Sequence, residues 1–130
     1  MSAFKKVVEH GLNWIETDVD ILGDGTAIIC HDTTLDRTTN KTGGYYELTA
    51  KDLPSIDAGS WFSPEFAGEP LPTLHQLVDF MNETGLNANI EIKSKMCIRD
   101  RSLPTQTRLR PQRTWLAHRG LAKQLSLIPQ

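Results

Sequence analysis

The heptapeptide Trp14-Ile15-Glu16-Thr17-Asp18-Val19-Asp20 reads as a strand whose two faces make opposite demands. In extended chain alternate side chains share a face, so Glu16 and Asp18 stand together, about 7 Å apart along the backbone. Ile15, Thr17 and Val19 point the other way and favour burial. Two carboxylates on a strand that wants burial are costly unless something neutralises them. A hard divalent cation, Mg²⁺ or Ca²⁺, takes oxygen donors of this kind. A chain with this stretch needs an interior sheet that leaves one strand face for a polar site.

The flanking sequence supplies such a sheet. Ala3, Phe4, Val7 and Val8 fall on one face of a helix over residues 2–10, and Gly11 stops it. The spacing predicts a strand over 14–21, a turn at Gly23-Asp24-Gly25, and a second strand over 26–31 on which Ala27, Ile29 and His31 share a face. Its nearly unbroken apolar run suits a parallel sheet covered by helices. Residues 33–72 show little periodicity, and so long an irregular excursion is more often functional than idle. Thr73 is the expected N-cap of a helix through residue 83, with an apolar stripe of Leu74, Leu77, Val78 and Met81, closed by Gly85. A third strand over 86–93 puts Asn89, Glu91 and Lys93 on one face, Ile90 and Ile92 on the other. The order helix, strand, strand, excursion, helix, strand belongs to an α/β protein.

Polar groups thus gather near the C-terminal ends of three strands: Glu16 and Asp18, His31 and Asp32, Glu91 and Lys93. In a parallel α/β barrel that end carries the active site. Singly, each pair has an ordinary reading as a solvated edge, a surface turn or a cross-strand salt bridge. On correctly phased strands they favour a site. His10 and His75 read as surface histidines on helices. Trp61, Phe62 and Phe66 read as packing of the excursion, Asp20 lies too deep for a ligand, and Asp32 is expected to point away from His31 and cap the following loop.

WIETDV, the His-Asp of ICHDTTLDRTTN, the stretch DAGSWFSPEFAGEPLPTL and NANIEIK together resemble the glycerophosphodiester phosphodiesterases, most of all the cytoplasmic bacterial type, over residues 1–94. The resemblance implies a (β/α)8 barrel that hydrolyses glycerophosphodiesters to an alcohol and glycerol 3-phosphate with a divalent cation. It implies Glu16, Asp18 and Glu91 as metal ligands and His31 as one of two histidines acting as general acid and base. Lys93 is implied to meet the substrate phosphate. A cation polarises phosphoryl oxygen, and an imidazole that titrates near neutrality protonates a leaving alkoxide. The family pattern opens with a His-Arg-Gly strand and a P-E-N-T segment, and this chain begins after both. Strands five to eight are also expected to be missing, since a barrel takes about 250 residues. The expectation is a barrel truncated at both ends, inactive alone.

Charge divides the chain at the same place. Residues 1–94 carry six Lys and Arg against fifteen Asp and Glu, net −9, whereas residues 95–130 carry eight against Asp100 alone, net +7. Residues 95–101, KMCIRDR, are also what AAG ATG TGT ATA AGA GAC AGG encodes, nearly all of it the transposon end used to attach sequencing adapters. We therefore read 1–94 as the enzyme domain and 95–130 as an artefactual or chimeric tail. Within that tail Trp115-Leu116-Ala117-His118-Arg119-Gly120 resembles the family's missing opening motif, either as a displaced copy of it or by chance, since His-Arg-Gly is only three residues. Two cysteines, Cys30 and Cys97, make neither a disulfide framework nor a metal knuckle. With no signal peptide or membrane-spanning run the expected compartment is the cytoplasm. A small-molecule diester is the expected partner, not nucleic acid. The competing readings are a phospholipase-type phosphodiesterase and a non-enzymatic basic-tailed binding module. The DAGSWFSPEFAGEPLP stretch disfavours the first, and the lack of any nucleic-acid motif disfavours the second.

Overall fold

A computed structural model describes residues 1–93 and the backbone of residues 114–117. Helix α1 spans Ser2–Glu9, strand β1 Trp14–Ile21, strand β2 Ala27–Ile29, helix α2 Leu74–Thr84, strand β3 Asn87–Ile92 and strand β4 Thr114–Ala117. The strands form one sheet in the order β2-β1-β3-β4. β1 and β3 run parallel, with Glu16 opposite Asn89 and Asp18 opposite Glu91. The α2 crossover between them is what parallel pairing requires.

β2 departs from the expected parallel sheet. It pairs antiparallel with β1, Val19 opposite Ile29 and Ile21 opposite Ala27. The reason is the connection: five residues, Leu22 to Thr26, make a hairpin but cannot carry a parallel crossover. Leu22 and Thr26 close it with an N–H···O=C bond of 2.9 Å, and Asp24 accepts from Thr26 N–H at 2.9 Å. The strand also ends at Ile29, so His31 lies beyond the ladder. β4 pairs antiparallel with β3, Ile90 opposite Trp115. It therefore lies on the far side of β3 from β1, and His118 and Arg119 are outside the described residues.

Alternation along the strands sends side chains into two cores. Ile15, Val19, Ala27, Ile29, Ala88, Ile90 and Ile92 join Phe4, Val7 and Val8 of α1 and Leu74, Leu77, Phe80 and Met81 of α2. On α2 Phe80 packs here and Val78 does not, a rotation of the expected stripe by part of a turn. Ile28 and Cys30 face the opposite way, into a core built by the excursion from Leu35, Tyr45, Leu53, Ile56 and Leu71. The excursion is ordered by short devices, with 3-10 turns at Ala50–Ser55 and Pro64–Phe66 and isolated bridges Thr34–Gly44 and Asp57–Pro70. Helices thus cover one sheet face. The excursion covers part of the other, the face to which Glu16, Asp18, Asn89 and Glu91 belong.

Candidate metal and phosphodiester site

Register brings the acidic residues together. Asp18 and Glu91 are cross-strand partners in a parallel pair, and Glu16 is two residues back from Asp18 on the same face. One carboxylate oxygen from each of Glu16, Asp18 and Glu91 lies within 4.8 Å of the others. Asp18 is buried, Glu91 half-buried and Glu16 exposed, so the group opens outward. Lys93 continues the ladder, donating its backbone N–H to Val19 at 2.9 Å. Its Nζ reaches Asp18 at 2.6 Å and Glu91 at 3.3 Å. Hydrogen bonding to Asp18, against a smaller opposing effect of burial, holds the ammonium above its usual range.

The donor set fits a hard divalent cation. All three ligand candidates offer carboxylate oxygen. Three carboxylates against one ammonium leave a formal charge of −2, which such an ion balances. Asn89, on the same face opposite Glu16, has its Oδ1 buried with no hydrogen-bond partner among the described residues. A buried carbonyl oxygen without a donor is uncommon, and here it adds a neutral oxygen to the face that holds the carboxylates. Asn89 was visible in the sequence as the residue two before Glu91, but an amide there carries no signal of its own.

His31 is the sequence-derived site residue that the fold does not bring into contact with the others. Among the described residues it forms no hydrogen bond or ion pair with Glu16, Asp18 or Glu91. Its tie to the site is one residue away, where Cys30 N–H donates to the Asp18 carbonyl at 3.2 Å. The expectation for Asp32 is overturned: it does not point away from His31. Its Oδ1 is 2.7 Å from His31 Nδ1, and Arg37 donates to both Asp32 oxygens, from Nε at 2.7 Å and Nη2 at 3.0 Å. Strand alternation failed as a guide here because β2 has already ended and the chain bends between the two residues. The Arg37 and His31 bonds hold the Asp32 carboxyl far below the usual carboxylate range.

The remaining residues have structural tasks. Asp20, wholly buried, accepts from Tyr46 at 2.8 Å and Tyr45 at 3.0 Å through Oδ2, and from Ile21 N–H at 2.9 Å through Oδ1. His75 is exposed, 3.5 Å from Asp79, and His10 lies exposed past the end of α1. Trp61, Phe62 and Phe66 stack in sequence at centroid distances of 5.9 and 5.8 Å, with Trp61 and Phe62 still largely exposed.

Comparison with known proteins gives the chain its family. The model of the glycerophosphoryl diester phosphodiesterase family matches residues 1–124, well past residue 94 where the legible motifs stop. The chain belongs to that family. A glycerophosphodiester phosphodiesterase of Caldanaerobacter subterraneus subsp. tengcongensis is 40% identical over 94 residues, 72% of this chain and 39% of the relative. One from Bacillus subtilis is 37% identical over 91 residues, 64% of this chain and 30% of the relative. Among solved structures, the glycerophosphodiester phosphodiesterase of Agrobacterium tumefaciens superposes with a TM-score of 0.67 at 31% identity, covering 78% of this chain and 45% of that one. An Oleispira antarctica phosphodiesterase in complex with the product sn-glycerol-3-phosphate gives 0.68 at 35% identity, covering 71% and 37%. The chain spans less than half the length of these relatives. The α/β segment described here is that of part of a (β/α)8 barrel of this family. No helix among the described residues is long and apolar enough to cross a membrane.

Proposed function

We propose that this chain carries the metal-binding part of a phosphodiesterase site that cleaves glycerophosphodiesters to an alcohol and glycerol 3-phosphate. The observation that carries the reading is the convergence of Glu16, Asp18 and Glu91 within 4.8 Å, in a family whose Oleispira antarctica member binds sn-glycerol-3-phosphate as product. In this reading the three carboxylates would hold Mg²⁺ or Ca²⁺, which when bound would supply Lewis-acid polarisation of a phosphoryl oxygen and lower the pKa of an attacking hydroxyl. Lys93, fixed by Asp18 and Glu91, presents its ammonium to a phosphate oxygen. His31 moves a proton to or from an ester oxygen as general acid or base. The location that goes with this reading is the cytoplasm, as the resemblance to the cytoplasmic bacterial type implies.

Hydrolysis of glycerophosphodiesters is the test, with the chain itself and with a version extended to the length of its relatives, each with and without divalent metal. Activity is expected in the extended protein, abolished by chelation, by Glu16→Ala and by His31→Ala. Turnover indifferent to metal would overturn the assignment. In the same reading residues 1–94 form the enzymatic unit and residues 95–130 are an artefactual or chimeric tail, set against a family match that runs to residue 124 and a β4 that pairs with β3. Sequencing the locus from intact genomic DNA checks this, and an uninterrupted frame through residues 95–101 would contradict it.

A further inference from the structure

His31 carries its own orienting apparatus. Its Nδ1 lies 2.7 Å from Asp32 Oδ1, and Arg37 grips the same carboxylate with Nε at 2.7 Å and Nη2 at 3.0 Å. The two Arg37 bonds are the paired, parallel kind that fixes a carboxylate plane as well as its position. Asp32 is three-quarters buried while His31 and Arg37 stand mostly in solvent. Exposed ion pairs of this sort add little to stability, so stability gives little reason for the arrangement.

Its chemical consequence is definite. Arg37 first, and His31 second, hold the Asp32 carboxyl far below the ordinary range, so it is ionised at neutral pH. An ionised carboxylate only accepts hydrogen bonds. The hydrogen in a 2.7 Å contact with Nδ1 must then belong to the imidazole, and the lone pair of the neutral ring is left on Nε2. We propose that Asp32, clamped by Arg37, is the positioning residue that holds His31 as its Nδ1–H tautomer and reserves Nε2 for proton exchange with substrate. Nε2 takes up one proton from an oxygen and gives the same proton back to one. The positive charge on the ring meanwhile is balanced by Asp32, which itself stays unprotonated. This rests on the phosphodiesterase reading only for the role given to His31.

The test is the tautomer itself. Long-range ¹H–¹⁵N correlation on the full chain, at a pH where the ring is neutral and with His31 assigned through His31→Gln, reads the two nitrogens directly. The expected pattern is Nδ1 protonated and Nε2 bare. Asp32→Asn is expected to shift the population toward Nε2–H, Asp32→Glu to restore it, and Arg37→Gln to shift it in part. A ring that is Nε2–H in the unmodified chain, or a ratio indifferent to Asp32→Asn, overturns the proposal. In an active preparation Asp32→Asn lowers kcat by about 10- to 10⁴-fold with little change in KM, and adds no loss on top of His31→Ala. A loss confined to KM also overturns it. If the extended protein and every variant of it fail to hydrolyse the diester, the phosphodiesterase reading has failed, and the tautomer still decides this one.

Discussion

Asp20 is a carboxylate with no exposure at all, kept in place by two tyrosyl hydroxyls and one backbone N–H. Tyr45 and Tyr46 come from the excursion, so these bonds tie it to the strand that bears Glu16 and Asp18. Tyr45→Phe and Tyr46→Phe are each expected to cost about 0.5–1.5 kcal/mol in urea unfolding. The double variant should cost more than the sum, because Asp20 is then left with the Ile21 N–H alone. A second expectation concerns Cys30, whose thiol is pushed up to about 11 chiefly by burial. Alkylation at pH 8 should be slow in the folded chain and fast in urea, with peptide-resolved mass spectrometry separating Cys30 from Cys97. Both residues show where reading the sequence stopped. The strand pattern marked Asp20 as too deep for a ligand, but its tyrosine partners lie 25 and 26 residues away with no periodic signal between.

At the level of elements, the helix ends were legible and the excursion was not. Thr73 caps α2 in a reciprocal box, accepting from Gln76 N–H at 3.2 Å while Gln76 accepts from Thr73 N–H at 2.9 Å, and Gly85 ends the helix in the left-handed region at φ 74°. Local chemistry of this kind is written in neighbouring residues. Thr73→Ala should lower stability by about 1 kcal/mol, with Thr73→Ser close to neutral in thermal unfolding. The excursion instead depends on close approaches between distant segments. A Cβ at Gly59 would overlap the Phe66 carbonyl oxygen and come within 2.8 Å of Glu69 Cβ. Backbone cannot yield as a flexible side chain does, so Gly59→Ala is expected to destabilise by about 1–3 kcal/mol. It should also loosen the Asp57 turn that accepts from Gly59, Ser60 and Gly68, an effect visible as faster amide exchange at those three residues.

For the molecule as a whole, Glu69 joins the first helix to the end of the excursion. Its carboxylate accepts from Ser2 N–H at 2.9 Å, Ser2 Oγ at 2.6 Å and the α-amino group of Met1, at the positive end of α1. Burial alone would raise its pKa, but the amino-terminal and Ser2 hydrogen bonds outweigh this and hold it down at about 2. The folded value lies below the unfolded one, so the contribution is complete above the ordinary carboxyl range. It is lost as pH falls through about 2. Glu69→Gln should therefore flatten the acid limb of a stability–pH curve while changing its slope little above pH 6.

Periodicity, capping residues and the phase of WIETDVD and NANIEIK were enough, from sequence alone, to place helices and strands and to put Glu16, Asp18, Glu91 and Lys93 on shared faces. Those are properties of neighbouring residues and of the strand repeat. The parallel register that sets Asp18 opposite Glu91 and leaves Asn89 Oδ1 without a donor among the described residues was decided by tertiary structure. So were the antiparallel hairpin and the turn of Asp32 toward His31 and Arg37. Each depends on which segments meet and how the chain bends between them. A single strand's pattern contains neither.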